Sequence, residues 1–463
     1  MTVEKVYEWD PYSDQPHVIR DKRTKRRLYV LGAGSSLKTF FVFLLALPFA
    51  ALVRASRRTT ALPASASAVG LGVNVEAPLA EKTPVSLEEL ADDVDELGID
   101  QLLLRVTLGE PCALAPGLML ADRFADRHLL VDVLQDREHI ENRALLVEHL
   151  RLVFAEFSRY TDAFKIGNAV NRRKWAFHSL DEYFDFFRVA QQLRDSEFPG
   201  IRLLGGGIID FELPNFARSL LHCHPIKYDA VAALLYVDRR GAPENSQLGA
   251  NLLGKISWFR SLMRLSNKCE DRLVITETNW PLLHTEPFAP AVGPCMVDED
   301  RQAAYLARYY LLAFASGQVE AVYWHQLVAP GYGLIDNRGR SARRRRAFYA
   351  LKTISRLFSR STITDFEQHG SLYVLTAERG EERVTALWTN DTEATLELSA
   401  LPGANASSSP EDVVIYSLTG EKLRAASSLT VNGDPTYFVQ SASVKPAVPE
   451  SMGSGRSSST TSG

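Results

Sequence analysis

Cysteine is scarce in this chain. Its 463 residues hold four, Cys112, Cys223, Cys269 and Cys295, widely spaced. None forms a C-x-x-C pair or sits at a Cys/His metal-ligand spacing, which excludes a zinc site and a disulfide framework from the reading. All four are expected to be small buried apolar groups. Charge of one sign is also missing: 52 Lys and Arg against 56 Asp and Glu leave a net charge of -4. That balance exerts no pull toward nucleic acid. No G-x-G-x-x-G follows the first apolar segment, so a dinucleotide-binding sheet lacks its signature. Nothing in the sequence requires a cofactor or a metal. The chain's 46% hydrophobic and 23% charged residues are those of an ordinary globular protein. Its length fits one large barrel and a further module.

Long charge-free apolar runs are rare, and the exception lies near the N-terminus. Residues 1–36 are polar and become basic (Arg20, Lys22, Arg23, Lys25, Arg26, Arg27) before Thr39–Val53 carries no charge at all. As a helix that run reaches about 22 Å, short of the ~30 Å hydrocarbon core. Extension back to Leu28 gives the length but takes in Lys38, which could snorkel. Arg54, Arg57 and Arg58 stand before the small-residue stretch Ala64-Ser65-Ala66, which disfavours signal cleavage. Three options stay open for residues 37–54: an uncleaved anchor, an interfacial segment, or a helix buried against the domain. Membrane attachment is favoured, and residues 55–68, small from Ala61 to Ala68, read as a tether. If the segment spans, the more basic N-terminal flank stays inside and the large domain lies outside. The expected location is then a bacterial inner membrane with the barrel outside the cytoplasm.

From Val69 short apolar segments alternate with amphipathic ones, the βαβ pattern of a parallel sheet. Strands are predicted over Val69–Glu76, Gln101–Thr107, His128–Leu134, Ala163–Gly167, Ile201–Ile209, Ala230–Val237, Leu273–Thr276 and Glu320–Leu327. Helices are predicted from Ser86, with a capping box to Glu89, over Asn142–Tyr160, over Ser179–Arg194, and over a basic stretch Ala342–Phe358. Eight strands across residues 69–360 match the size of a (β/α)8 TIM barrel. The run Gly205-Gly206-Gly207 lies within the fifth strand and reads as a bend or a close backbone approach. Past residue 360 the helical period gives way to short alternating segments, so residues 361–440 read as a β-sandwich-like antiparallel module. The Ser/Gly/Pro-rich tail, residues 441–463, reads as disordered.

The most informative stretch is Arg272–Pro281, R-L-V-I-T-E-T-N-W-P. Glu277 stands where a buried parallel strand runs out, the face on which barrels carry their chemistry. The alternative is a helix cap or an ion pair. Other strand ends carry Asn74 and Glu76, Arg105, Asn168 and Asn171, Tyr236 and Asp238, and Trp324 with Gln326; Trp280 follows Glu277 closely. Any one of them could be a satisfied loop residue. A ring of Trp, Tyr, Arg and Asn together suits carbohydrate, with aromatic faces on the sugar's apolar side and amides on its hydroxyls.

On these residues the chain resembles the clan A glycoside hydrolases of retaining type, over roughly residues 69–440. I-T-E-T-N-W is similar to the strand-seven motif whose Glu is the nucleophile, which the resemblance carries to Glu277. It likewise carries the strand-two Arg to Arg105, the strand-six aromatic to Tyr236 and the strand-eight Trp to Trp324. One position departs. Strand four in the family ends Asn-Glu, the Glu being the general acid/base, whereas here Asn168 is followed by Ala169. A retaining mechanism needs two carboxyl groups, and His178, Asp181, Asp238 and Glu76 are conceivable substitutes.

Three functions follow from this pattern. One is a glycosidase or transglycosylase with a displaced acid, Glu277 catalytic, and Asn74, Arg105, Asn168, Asn171, Tyr236, Asp238, Trp280, Trp324 and Gln326 binding substrate. Another is an inactive glycan-binding barrel assisting cell-surface polysaccharide or lipopolysaccharide metabolism. The last is a tethered scaffold that docks a partner through Arg343–Arg346, although those arginines read more simply as a solvated cationic helix face.

Overall fold

The computed structural model describes residues 22–57, 66–67, 69–76, 85–339, 341–390, 392–397, 413–424 and 428–441. The first 21 residues of the basic segment, most of the tether and the tail beyond residue 441 lie outside the described residues.

Eight parallel strands close into a barrel: β1 Gly70–Val75, β2 Gln101–Thr107, β3 His128–Leu134, β4 Ala163–Ile166, β5 Arg202–Ile209, β6 Ala230–Leu234, β7 Leu273–Thr278 and β8 Ala321–Trp324. Each is nearly continuous in buried residues because one face meets the barrel interior and the other the helices. Leu103, Leu130, Leu204, Ala232, Val274 and Tyr323 fill the interior. The surrounding helices begin where the chain offers caps. Ser86 accepts from Glu89 N at 3.1 Å while its own amide donates to Glu89 Oε2 at 2.7 Å, closing the capping box ahead of α3 (Leu87–Leu97). Asn142 and Ser179 cap α5 (Arg143–Phe157) and α6 (Leu180–Glu197) with a single bond each, their side-chain oxygens accepting from Leu145 N and Glu182 N. Before them come α1 (Lys22–Leu31), α2 (Ala33–Arg57) and α4 (Pro111–Arg123). After them come α7 (Leu213–Leu220), α8 (Leu252–Arg264), α9 (Glu299–Ser316) and α10 (Arg346–Phe358).

Two irregularities shape the barrel's upper rim. In β5 the register with β6 shifts between Gly206 and Ile208. There a Cβ on Gly205 would stand 2.1 Å from the Tyr228 ring, and Gly206 and Gly207 take φ of 94° and 51°. The glycine run is thus both a bulge and a close approach. In β7, Ile275 pairs with Val322 and Thr278 with Trp324, so Thr276 and Glu277 together oppose one residue of β8.

The C-terminal module has two layers. Strands β9 (Thr362–His369), β10 (Leu372–Arg379), β11 (Glu382–Thr389), β13 (Val413–Tyr416) and β15 (Thr436–Ser441) form the larger sheet. The pair β12 (Ala394–Glu397) and β14 (Ser428–Val431) covers one face of it through Val374, Leu387, Ile415 and Phe438. The alternating residues Tyr373, Leu375, Ala386 and Trp388 join the main core on the other face. Ala66–Ser67, expected to be tether, instead adds an edge pairing to Thr362–Ile363.

One buried cluster staples module to barrel. Arg308 on α9 makes a bidentate pair with Glu244, 2.9 Å and 2.5 Å, both side chains fully buried. Trp388 Nε1 donates to the same carboxylate at 2.8 Å, and Arg308 also reaches Asn390 at 3.2 Å. Glu244→Ala strands a buried guanidinium, so urea unfolding is expected to show a loss of about 3–5 kcal/mol. A loss below about 1 kcal/mol would show that the pair is not what joins the two units.

Three further sequence expectations are corrected. The basic helix starts at Arg346; Arg343–Arg344 instead pair with Ile335–Asp336 as a short hairpin. Nor is the run a solvated cationic face. Arg345 is fully buried and donates to the carbonyls of Ala329, Gly333 and Pro330 at 2.7–2.9 Å. Arg343, Arg344 and Arg346 pair with Glu299, Asp93 and Asp434. The guanidinium forks satisfy a turn of buried carbonyls that ordinary surface cations would not reach. The cysteines also divide, Cys295 buried and Cys269 half-buried but Cys112 and Cys223 exposed.

Candidate active site

Strict alternation along β7 would place Val274 inward, Ile275 outward and Glu277 outward. Val274 and Ile275 obey it. The bulge then shifts the phase, and Glu277 reaches residues across the barrel top. Its Oε1 accepts from Asn168 Nδ2 at 2.9 Å and its Oε2 from the Tyr236 hydroxyl at 2.9 Å. Two donors fix the carboxylate, which is 3% exposed.

Asn168 is itself held from below. The Lys165 ammonium, buried inside the barrel, bonds both oxygens of Asp132 at 2.9 Å and 2.8 Å and also donates to Asn168 Oδ1. That contact sets the amide so that its NH2 faces Glu277. Gln135 clamps the same loop, accepting from Asn168 N at 2.8 Å and donating to the carbonyls of Asn168 and Trp175 at 2.8 Å and 2.6 Å. Asp132, Lys165 and Gln135 were not among the residues expected from sequence. A signal exists in H-L-L-V-D-V-L and A-F-K-I: two charges interrupt adjacent apolar strands, and Asp132 lies in register with Lys165.

Above Glu277 opens a cleft in two lobes. The inner lobe, about 100 Å³, is lined by Glu277, Tyr236, Asp238, Asp210, Trp175, Arg172, His325 and Tyr332 among others. The outer, about 170 Å³, shares Arg172, Asp210, Tyr236 and Asp238 and adds Glu212, Arg240 and Gln247. A larger hollow of about 420 Å³ lies at the barrel's opposite mouth. There Arg127, Arg202 and Arg272 are each committed to carboxylates, and that face of a barrel serves stability rather than chemistry.

Of the four groups that the sequence offers as a general acid, Asp238 lines the cleft with Glu277. Burial, with the neighbouring Asp210 carboxylate, pushes its carboxyl up to about 6. Asp210 is tied to Arg172 at 2.6 Å. The other three lie elsewhere. His178, held below its ordinary value by burial, sits beside Glu182. Asp181 pairs with Arg218 at 2.8 Å. Glu76 pairs with Arg105 at 2.8 Å and accepts from Gln326.

Ala169 is fully buried at φ 44°, in a small cluster with Leu134, Trp175 and Leu234. Apolar side chains therefore close in around Ala169. The remaining expected residues spread over the rim. Asn74 bonds His325 Nδ1 at 2.8 Å, and Arg105 lies 5.4 Å from the Trp175 ring centre. Asn171 donates to Ile209 O and Glu212. Trp280 and Trp324 are fully buried and stack on each other at 6.1 Å. Trp280 Nε1 donates to Gly241 O, while Trp324 Nε1 and Asn74 Oδ1 have no hydrogen-bond partner among the described residues. The aromatic surfaces that line the cleft are instead Trp175, Tyr236 and Tyr332.

No protein-family profile matches the chain, and no curated protein matches it by sequence. Solved structures do. A family 39 glycoside hydrolase from Bacteroides cellulosilyticus superposes with a TM-score of 0.61 at 14% identity, covering 81% of each chain. A family 30 endoxylanase from Clostridium papyrosolvens gives 0.56 at 13% identity over 82% of this chain and 98% of its own. A glucosidase from Croceicoccus marinus gives 0.57 at 11% identity over 82% and 97%. At these identities the likeness is one of fold, a closed eight-stranded parallel (β/α)8 barrel.

Proposed function

We propose that this chain acts on an oligo- or polysaccharide as a glycosidase, with Glu277 as nucleophile and Asp238 in place of the absent strand-four acid. The observation that carries the reading is the pairing in one cleft of a two-donor-oriented carboxylate and a second carboxyl raised toward neutrality. Opposed protonation states are what acid and nucleophile require. In the first step Glu277 attacks the anomeric carbon and the glycosidic C–O bond breaks. Its electron pair leaves on the aglycone oxygen, which takes the Asp238 proton. In the second, Asp238 removes a proton from water as that water displaces Glu277 and frees the sugar. Asn168 and Tyr236 hold Glu277 for attack. Trp175, Tyr236 and Tyr332, which line the cleft, offer their aromatic faces to a sugar ring, whereas Asn74 and Trp324 are fully buried behind it. Arg105, Asn171 and Gln326 support the rim, and Trp280 backs Trp324.

A second reading, glycan binding without turnover, is favoured by the apolar packing around Ala169. Reducing-end release from polysaccharides and chromogenic glycosides, run beside glycan binding, separates the two. Turnover by the wild type supports the first. Binding that persists in Glu277→Gln, with no turnover by either protein, supports the second. The apolar helix near the N-terminus is consistent with work at a membrane surface.

A further inference from the structure

The apolar segment forms the single helix α2, which at 25 residues is about 37 Å long, well beyond its charge-free run. It lies along the barrel, packed on α7 and α8. Its contact side is small: Ala46 and Ala50, one turn apart, are buried, and Thr39 turns its hydroxyl to Ser35 O at 2.9 Å. At the C-terminal end the Arg54 guanidinium sits 5.0 Å over the Trp258 ring of α8.

The opposite side is a different surface. Leu37, Phe40, Phe41, Leu44, Leu45, Phe49 and Leu52 are all exposed, from 48% (Leu44) to 71% (Leu37). At about 100° per residue they sweep roughly half the helix circumference, directly away from Ala46 and Ala50. Such a continuous patch exceeds what a soluble monomer leaves bare. It presents no hydrogen-bonding side chain between residues 40 and 53. A protein partner is ordinarily oriented by a polar rim and hydrogen bonds; lipid tails need neither. Exposed cations lie at its N-terminal end, Lys38 on α2 and Lys22, Arg26 and Arg27 on α1.

We infer that α2 is a monotopic membrane helix: it lies in the plane of an anionic bilayer surface, its outer side in the acyl boundary and its inner side on α7 and α8. A spanning helix so docked would carry the barrel's flank into hydrocarbon. Arg264 of α8, whose side chain is 25% exposed, would go with it, costly at that depth. An in-plane helix has no such penalty, and the α1 cations then meet headgroups. It also places the N-terminus and barrel on one side of the membrane. The cleft's outer lobe is lined by Glu212, just before α7, and by Gln247, shortly before α8.

The test uses the full chain, floated with sealed vesicles of phosphatidylcholine and phosphatidylglycerol in equal parts. The wild type should float, and Leu45→Asp/Phe49→Asp should partition roughly 100-fold more weakly with an unchanged urea midpoint. In a cysteine-free background, Ser35→Cys and Ser56→Cys should both react with a membrane-impermeant maleimide on intact vesicles. Labelling of only one until the vesicles are lysed would mean that the helix spans. A stable lipid-free dimer with no vesicle binding would mean that a second copy covers the face. Either result overturns the inference, whatever the cleft proves to do.

Discussion

Glu277→Gln is expected to lower turnover of any glycoside that the wild type cleaves to the uncatalysed rate, while leaving stability within about 1 kcal/mol. The substitution keeps the shape of the side chain. The carboxamide oxygen can still accept from Asn168, and the carboxamide NH2 can donate to the Tyr236 oxygen, so neither partner at 2.9 Å is orphaned. What disappears is the negative charge and with it the attacking electron pair. A structural role would give the opposite split, a stability loss with activity reduced only in proportion. Urea unfolding and initial rates on one preparation distinguish them.

Asp238→Asn is expected to cost about 10²–10⁴-fold in rate on substrates with poor leaving groups. Much less should be lost on aryl glycosides whose phenolate departs without a proton, and that difference is the mark of a general acid. The pH dependence has a definite sign. Asp238 must be protonated to act, and its carboxyl is pushed up to about 6, so wild-type kcat should fall as pH rises through about 6 and the variant should lack that limb. Stability follows the same group. A carboxyl raised in the fold from 3.8 to about 6 favours the folded state below about pH 4 and loses that contribution as pH rises through about 6. Asp238→Asn should therefore gain roughly 1–3 kcal/mol on the wild type at neutral pH and nothing at acid pH. Equal rate losses on both substrate classes would make Asp238 a binding residue.

The barrel was legible because its strands are short apolar runs bounded by polar caps; β2 and β3 appear over the predicted residues. The module was legible for a different reason: period-two alternation in β10 and β11 survives because their two faces meet different cores. Less legible was anything set by tertiary exchange of partners. Four arginines in a row look like a solvated face, yet Arg345 is buried because the turn at Ala329–Gly333 leaves carbonyls that a guanidinium can bridge. Likewise a Trp at a strand end does not reveal which way it turns. Trp280 and Trp324 face each other inside the structure, while Trp175, in the loop after β4, lines the cleft. Glu277 could be singled out by position, but its orientation depends on a bulge that neither β7 nor β8 announces. The Asp132–Lys165–Asn168 chain beneath it requires the register of neighbouring strands.

The most direct test of the account is covalent trapping. A set of 2-deoxy-2-fluoroglycosides with dinitrophenyl leaving groups needs no general acid for the first step, so the result does not depend on Asp238. Peptide mass spectrometry should find one glycosyl adduct, on Glu277, absent from Glu277→Gln. A bound but unreacted sugar, or an adduct on any other carboxylate, would contradict the assignment of Glu277 as the nucleophile.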